Sequence, residues 1–212
     1  MPFTPIRTER LILRQATSDD AAALADRRSD PEVARFQNWT IPYPLERAQA
    51  MVNEVAAMEG PENDEWWMAT VCDAGTNEIL GDLALHLTSE GRTAEVGYTF
   101  STRHWGKGYA VEALAALVEY LFEELGVTRV FAMLHPDNSA SAMVLERSGF
   151  LYEGGPRSSF WLDGEVSDDL IYGLTRPDWE KWRDRKQHPP ERIEVIPVTV
   201  ENQLDVWRLK TH

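Results

Sequence analysis

The sequence predicts an α/β (α+β) domain built on a mixed, mostly antiparallel central sheet with helices on both faces. Two observations carry this expectation. Between Trp66 and Ser101, three strand-like segments are joined by short Gly-containing turns, as in an antiparallel meander. Before and after them lie segments whose apolar residues recur every three to four positions, the period of a helix buried on one side.

Taken in order, Arg10-Leu11-Ile12-Leu13-Arg14 alternates as a half-buried strand does. Thr17-Ser18-Asp19-Asp20 supplies a cap and dipole-complementing acids to an Ala-rich helix that stops near Ser29. Asp30-Pro31-Glu32 restarts a short helix, since proline suits a first helical position. Pro42 and Pro44 punctuate a loop, and Leu45, Ala48, Val52 and Val55 then share one face of a helix running to Met58. Strands follow at Trp66 to Asp73, Glu78 to Thr88 and Thr93 to Ser101. Ala110, Leu114, Leu117, Leu121 and Leu125 mark a helix that Gly126 closes. Next come a strand from Arg129 to His135 and a helix from Asn138 to Ser148, stopped by Gly149. Strands from Phe150 to Trp161 and from Val166 to Leu174 meet at Asp163-Gly164, a hairpin signal. Arg176-Pro177-Asp178-Trp179 opens a last charged helix, so the domain is expected to span residues 1–186.

The 212 residues are enough for one well-cored domain. No apolar run approaches the roughly 20 residues that span a bilayer, and Met1-Pro2-Phe3-Thr4-Pro5 lacks the segments of a signal peptide. Cys72 is the only cysteine and sits in an apolar stretch, which reads as core filling rather than as a nucleophile. A cytoplasmic protein with no membrane partner is expected. The net charge of −14 disfavours nucleic acid, which rewards clustered Lys and Arg. It suits a cationic ligand, and it equally suits simple solubility. His86, His104 and His135 have no metal-ligand spacing with a carboxylate or thiol pair, so no metal is expected.

The most informative segment is Trp105-Gly106-Lys107-Gly108-Tyr109-Ala110-Val111-Glu112-Ala113, which runs from a strand straight into a helix. A helix N-terminus has unpaired amides and a partial positive charge, and glycines on the approach let an anion touch the backbone. The segment is neither a Walker loop nor a dinucleotide fingerprint, because the spacings differ. It reads as a phosphate site, with a plain helix-capping turn as the alternative.

This loop resembles the coenzyme A pyrophosphate loop, Gln/Arg-x-x-Gly-x-Gly/Ala, of the GNAT (Gcn5-related N-acetyltransferase) superfamily. Gly108 and Ala110 match, and Trp105 stands where Gln or Arg is usual. The form W-G-K-G-Y-A is similar to the RimJ/RimL-like branch, the ribosomal-protein alanine N-acetyltransferases. Thr8 to Arg14, Glu95-Val96-Gly97-Tyr98, and Asn138 through Phe150 resemble further family segments in the family's order. The resemblance implies transfer of an acetyl group from acetyl-CoA to a primary amine, on a protein or peptide N-terminus or a small molecule. An alkylamine with a pKa of about 10 is overwhelmingly protonated at neutral pH, so a base or a site selecting the neutral form is needed.

By the same resemblance Glu95 is the candidate base, with a solvent-facing strand residue as the alternative. The Tyr that many members use to protonate the thiolate is replaced here by Leu145, which cannot donate a proton. Ser141 is the best replacement, unless it is an ordinary helix serine bonding back to a carbonyl. Asn138 is expected to cap its helix and also to touch the pantetheine arm. Phe100 and Ser101 are expected to offer backbone groups to the cofactor. Trp105, Gly106, Lys107, Gly108, Tyr109 and Ala110 are expected to hold the pyrophosphate, mainly through amides. Of Trp39, Trp66, Trp67 and Trp161, Trp39 is the best candidate for a substrate-binding wall, because the corresponding segment in relatives borders the acceptor site.

Two other readings stand beside this one: an aminoglycoside-type antibiotic acetyltransferase, and a catalytically weak acyl-CoA-binding sensor. The tail from residue 187 holds a linker around Pro189-Pro190 and then Arg192-Ile193-Glu194-Val195-Ile196-Pro197-Val198-Thr199-Val200, which resembles the start of a second copy of the domain. The alternative is an accessory strand and helix, packed on this domain or on the partner in a homodimer.

Overall fold

The computed structural model describes residues 2–162 and 165–187. The chain divides into two units, residues 1–180 and 181–212; of the second, only the end of one helix is described here. The tail repeat, the proposed linker and the Asp163-Gly164 turn lie outside the described residues.

The meander is present: β3 (Trp66–Asp73), β4 (Ile79–Thr88) and β5 (Thr93–Phe100) pair antiparallel in sequence order. Before them, β2 (Leu11–Gln15) pairs antiparallel with β3, and a short β1 (Ile6–Arg7), which the sequence pattern does not announce, pairs with β2. Every residue of β3 from Trp67 to Cys72 is buried, as expected of a strand covered on both faces. On one side α1 (Ala21–Ser29) and α3 (Leu45–Ala57) contact β4 and β3, with the single turn of α2 (Pro31–Ala34) between them in sequence. α4 (Tyr109–Glu123) packs against β2 and β5 and buries Leu114, Leu117, Leu121 and Phe122. Gly126 has the left-handed φ of 68° that ends this helix, and the Val127 amide returns to the Leu121 carbonyl. Cys72 has no exposed surface, and burial pushes its thiol pKa up, so it is core.

Two expectations change. Asp20 is not merely a dipole-complementing acid. It is buried and accepts two hydrogen bonds of 2.7 Å from Arg14, one from the Thr17 amide and one from Thr70, tying the start of α1 to β2 and β3. The single strand expected from Phe150 to Trp161 is two: β7 (Leu151–Gly154) and β8 (Phe160–Leu162). Gly154, Gly155 and Pro156 break it. A Cβ at Gly155 would lie 1.9 Å from the Asp169 carbonyl oxygen, and proline has no amide to give a ladder. β8 pairs with β9 (Glu165–Ser167) in a separate two-stranded sheet.

The main sheet runs β1-β2-β3-β4-β5-β6-β10-β7, where β6 is Arg129–Leu134 and β10 is Leu170–Thr175. Its one parallel pairing joins β5 to β6, and that pairing is short. Thr93, Ala94 and Glu95 face Arg129, Val130 and Phe131; beyond them the strands run on unpaired with each other, to Phe100 and Leu134. The sheet therefore splits along this line. α5 (Ser139–Arg147) follows β6, and α6 (Arg176–Gln187) follows β10.

Candidate active site

The split places Glu95 where β5 and β6 part. Glu95 lies opposite His86 on β4, and the His86 ring stacks on Trp66 at 4.9 Å. Burial pushes the Glu95 carboxyl pKa above its ordinary value; His86 pulls it partly back, and the nearby Asp169 adds to the rise. Both acids line a cavity of about 620 Å³ with Phe36, Trp39, Trp67 and Met133. A carboxylate with a raised pKa in a cleft has the poise of a general base.

Three residues along β5, Tyr98 reaches α5. Its hydroxyl donates to the Ser141 carbonyl at 3.0 Å and lies 2.8 Å from Ser141 Oγ. Burial pushes the Tyr98 pKa up strongly, against the opposing effect of the Ser141 bond, so the phenol stays protonated. The Asn138 side chain accepts the Ser141 amide at 3.1 Å, which is the expected cap on α5. Leu145 is fully buried in the core. The sequence shows no sign of the Tyr98–Ser141 pair, because 43 residues separate its members.

The loop from Trp105 to Ala110 delivers the chain into α4. Gly106 and Gly108 have φ of 72° and 81°, in the left-handed region that favours glycine, and nothing lies within 4 Å of a Cβ built at Gly106. The first-turn amides of α4 have no intrahelical acceptor. The loop is braced from β2: Arg10 donates to the Lys107 carbonyl at 3.0 Å, pairs with Glu112 at 2.6 Å, and lies over the Tyr109 ring at 4.7 Å. Thr8 donates to Glu112 at 2.6 Å. Burial would raise the Glu112 pKa, but the bonds from Thr8 and Arg10 outweigh it and hold the carboxyl below its usual range. This brace gives the Thr8 to Arg14 segment a physical role.

The remaining candidates are placed as follows. The Phe100 carbonyl accepts the Trp105 indole at 2.7 Å, and the Ser101 amide is already given to the Leu80 carbonyl at 3.0 Å, so that amide is not free for a ligand. Trp39 is buried and lines the cavity, where its indole donates to the Arg28 carbonyl at 2.9 Å. Trp66 is half exposed, Trp67 is core against Phe3, and the side chain of Trp161 lies outside the described residues. Among the described residues, no group of His, Cys, Asp and Glu is placed to hold a metal, and no helix is long and apolar enough to cross a membrane.

Comparison with known proteins gives the family and the fold. A family model described as an acetyltransferase (GNAT) domain matches residues 10–151. The uncharacterised N-acetyltransferase YoaA of Bacillus subtilis (strain 168) is 34% identical over 176 residues, covering 82% of this chain and 98% of that protein. A [ribosomal protein uS5]-alanine N-acetyltransferase of Escherichia coli (strain K12) is 27% identical, covering 86% of this chain and 96% of the relative. The crystal structure of a GNAT-family acetyltransferase from Bacillus anthracis superposes with a TM-score of 0.73 at 26% identity, over 81% of this chain and 98% of that one.

Proposed function

The chain belongs to the GNAT acetyltransferase family and is an acetyl-CoA-dependent N-acetyltransferase, and we propose that its acceptor is the N-terminal amine of a protein or peptide. One observation supports the placement of the chemistry: β5 and β6 part at Glu95, and the cavity that Glu95 lines is also lined by Tyr98, whose hydroxyl bonds Ser141. The residues from Gly106 to Ala110 suit a pyrophosphate, since among the described residues their amides have no acceptor, while the Trp105 amide goes to the Thr102 carbonyl, and nothing lies within 4 Å of a Cβ at Gly106.

In this reading, amides between Gly106 and Ala110 hold the pyrophosphate, and Asn138 steers the pantetheine arm. Acetyl-CoA supplies an activated thioester carbonyl. Glu95 takes a proton from the amine, directly or through water, as the nitrogen attacks. The C–S bond breaks when the adduct collapses, and Ser141 Oγ donates a hydrogen bond to the departing sulfur. Tyr98 stands behind Ser141, and its one proton turns from the Ser141 carbonyl to Ser141 Oγ as the serine proton turns to the sulfur. Ser141→Ala and Tyr98→Phe should each lower kcat by roughly 10–100-fold, the scale of one hydrogen bond to a charged group. Combined, they should cost little more than the larger single change, because the two act as a unit. Full additivity would separate Tyr98 from the thiolate.

Thiol release from acetyl-CoA tests the acceptor, using a panel of N-terminal peptides, small amines and aminoglycosides. Turnover is expected with peptides. Release with aminoglycosides alone would overturn the acceptor reading, and release with none of them would favour a sensor.

A further inference from the structure

Arg27 and Arg28 are neighbours on α1, both buried, and they are treated differently. Arg27 pairs with Asp82 and donates to Thr99 at 3.2 Å, which is how a buried guanidinium is ordinarily stabilised. Arg28 is only 8% exposed and pairs with no carboxylate among the described residues. Its guanidinium lies over the Trp39 ring at 4.5 Å and the Tyr43 ring at 5.1 Å, and it donates once, from Nη1 to the Tyr43 hydroxyl at 3.2 Å. Among the described residues, Nε is cut off from water and has no acceptor, and Nη2 makes no hydrogen bond. A second guanidinium, that of Arg47 on α3, lies over the same Tyr43 ring at 5.2 Å and also has no acid partner among the described residues.

Arg28 and Arg47 line the same cavity as Glu95. The chain has 35 acidic residues against 21 basic ones, yet among the described residues no carboxylate bonds Arg28 or Arg47. Of the acids lining the cavity, Asp82 is taken by Arg27, Glu95 faces His86, Asp169 is bonded by Ser159 at 2.7 Å, and Glu54 on α3 is exposed and bonds neither arginine. Two cations gathered on one aromatic ring, one of them buried with an unanswered donor, form a site prepared for an anion. The fork of a guanidinium fits a carboxylate across two donors.

We propose that Arg28, assisted by Arg47, binds a carboxylate carried by the acceptor. The acceptor class is then a peptide whose N-terminal amine is followed closely by Asp or Glu, with the amine at the Glu95 end and the acid at Arg28. This rests on reading the cavity as the acceptor site. It runs against a polycation, which would meet two arginines there.

The test is calorimetric titration of the full chain, saturated with coenzyme A, with two matched amidated peptides: Ala-Asp-Gly-Phe and Ala-Asn-Gly-Phe. The Asp peptide is expected to bind about tenfold more tightly, and Arg28→Met, which keeps the apolar stem between the two rings, should remove the difference while sparing the Asn peptide. If that variant does not fold, the exposed Arg47→Ala should reduce the preference by several-fold. Equal affinities in the unmodified protein, no binding of either peptide, or a preference that survives Arg28→Met would overturn the proposal. A clear preference at equilibrium without acetylated product, once acetyl-CoA replaces coenzyme A, would keep the carboxylate subsite and overturn the peptide N-terminus as acceptor.

Discussion

Replacing Glu95 with glutamine is expected to lower kcat by roughly 10²–10⁴-fold, the usual contribution of a general base. Acetyl-CoA affinity should change little, because Glu95 lines the cavity and the glycine loop from Trp105 to Ala110 is not part of its wall. The pH profile provides a sharper test. Burial raises the folded-state pKa of Glu95, so kcat/KM should climb with pH on a limb lying above the ordinary carboxylate value of about 4.3. That limb should vanish in Glu95→Gln. Stability should move in the opposite direction. A raised carboxyl pKa favours the fold only at pH below the unfolded value, and that support is lost as pH rises through the folded value. At neutral pH the charged form is therefore a burden on the fold, and Glu95→Gln should melt at a higher temperature, with the gain fading as pH falls. A slower enzyme that is also more stable would mark a residue kept for chemistry. Unchanged turnover with an unchanged acidic limb would make Glu95 an ordinary strand residue.

The features legible in the sequence are the local ones. Apolar spacing locates α3 and α4, the Gly-containing turns locate the meander, and the glycine loop can be read because its backbone needs are met within six residues. Features that depend on distant partners could not be read. Nothing in the chain order says that β10 inserts between β6 and β7, or that the β5–β6 pairing stops at Glu95. Those two facts create the site. The same holds for side chains. Asp20 reads as a helix-start acid until Arg14 and Thr70 are seen around it, and nothing in the sequence sets Arg28 apart from Arg27 until Asp82 is seen bonded to Arg27 alone. Glu95 was reached by resemblance, but its raised pKa depends partly on Asp169, far along the chain. The glycines, by contrast, carry their constraint alone, which makes the loop the cleanest place to test the assignment.

Gly108→Val should abolish acetyl-CoA binding while leaving a folded protein. Two effects of the substitution have to be separated. Gly108 has a φ of 81°, and a non-glycine residue held in the left-handed region costs about 1–2 kcal/mol, more for a β-branched side chain. That is a modest share of the roughly 5–15 kcal/mol that stabilises a typical domain. Local crowding adds little, since the nearest atom to a Cβ at Gly108 is Arg10 Nη2 at 3.5 Å. The larger effect falls on the ligand. A branched side chain at the N-cap of α4 stands where a pyrophosphate must approach, and turning the backbone to relieve φ would swing the neighbouring amides out of line. Losing one or two charge-assisted bonds, each worth about 1.5–3 kcal/mol, predicts an affinity roughly 10- to 10⁴-fold weaker. Gly91 provides the control. Its φ is 76° and a Cβ there meets nothing within 4 Å, but it lies in the β4–β5 turn. Gly91→Val therefore imposes the same backbone strain without touching the loop, and should lower the melting temperature comparably while acetyl-CoA binds as before. Calorimetry would separate the cases: equal affinity in folded Gly108→Val and Gly91→Val would mean that the pyrophosphate is held elsewhere.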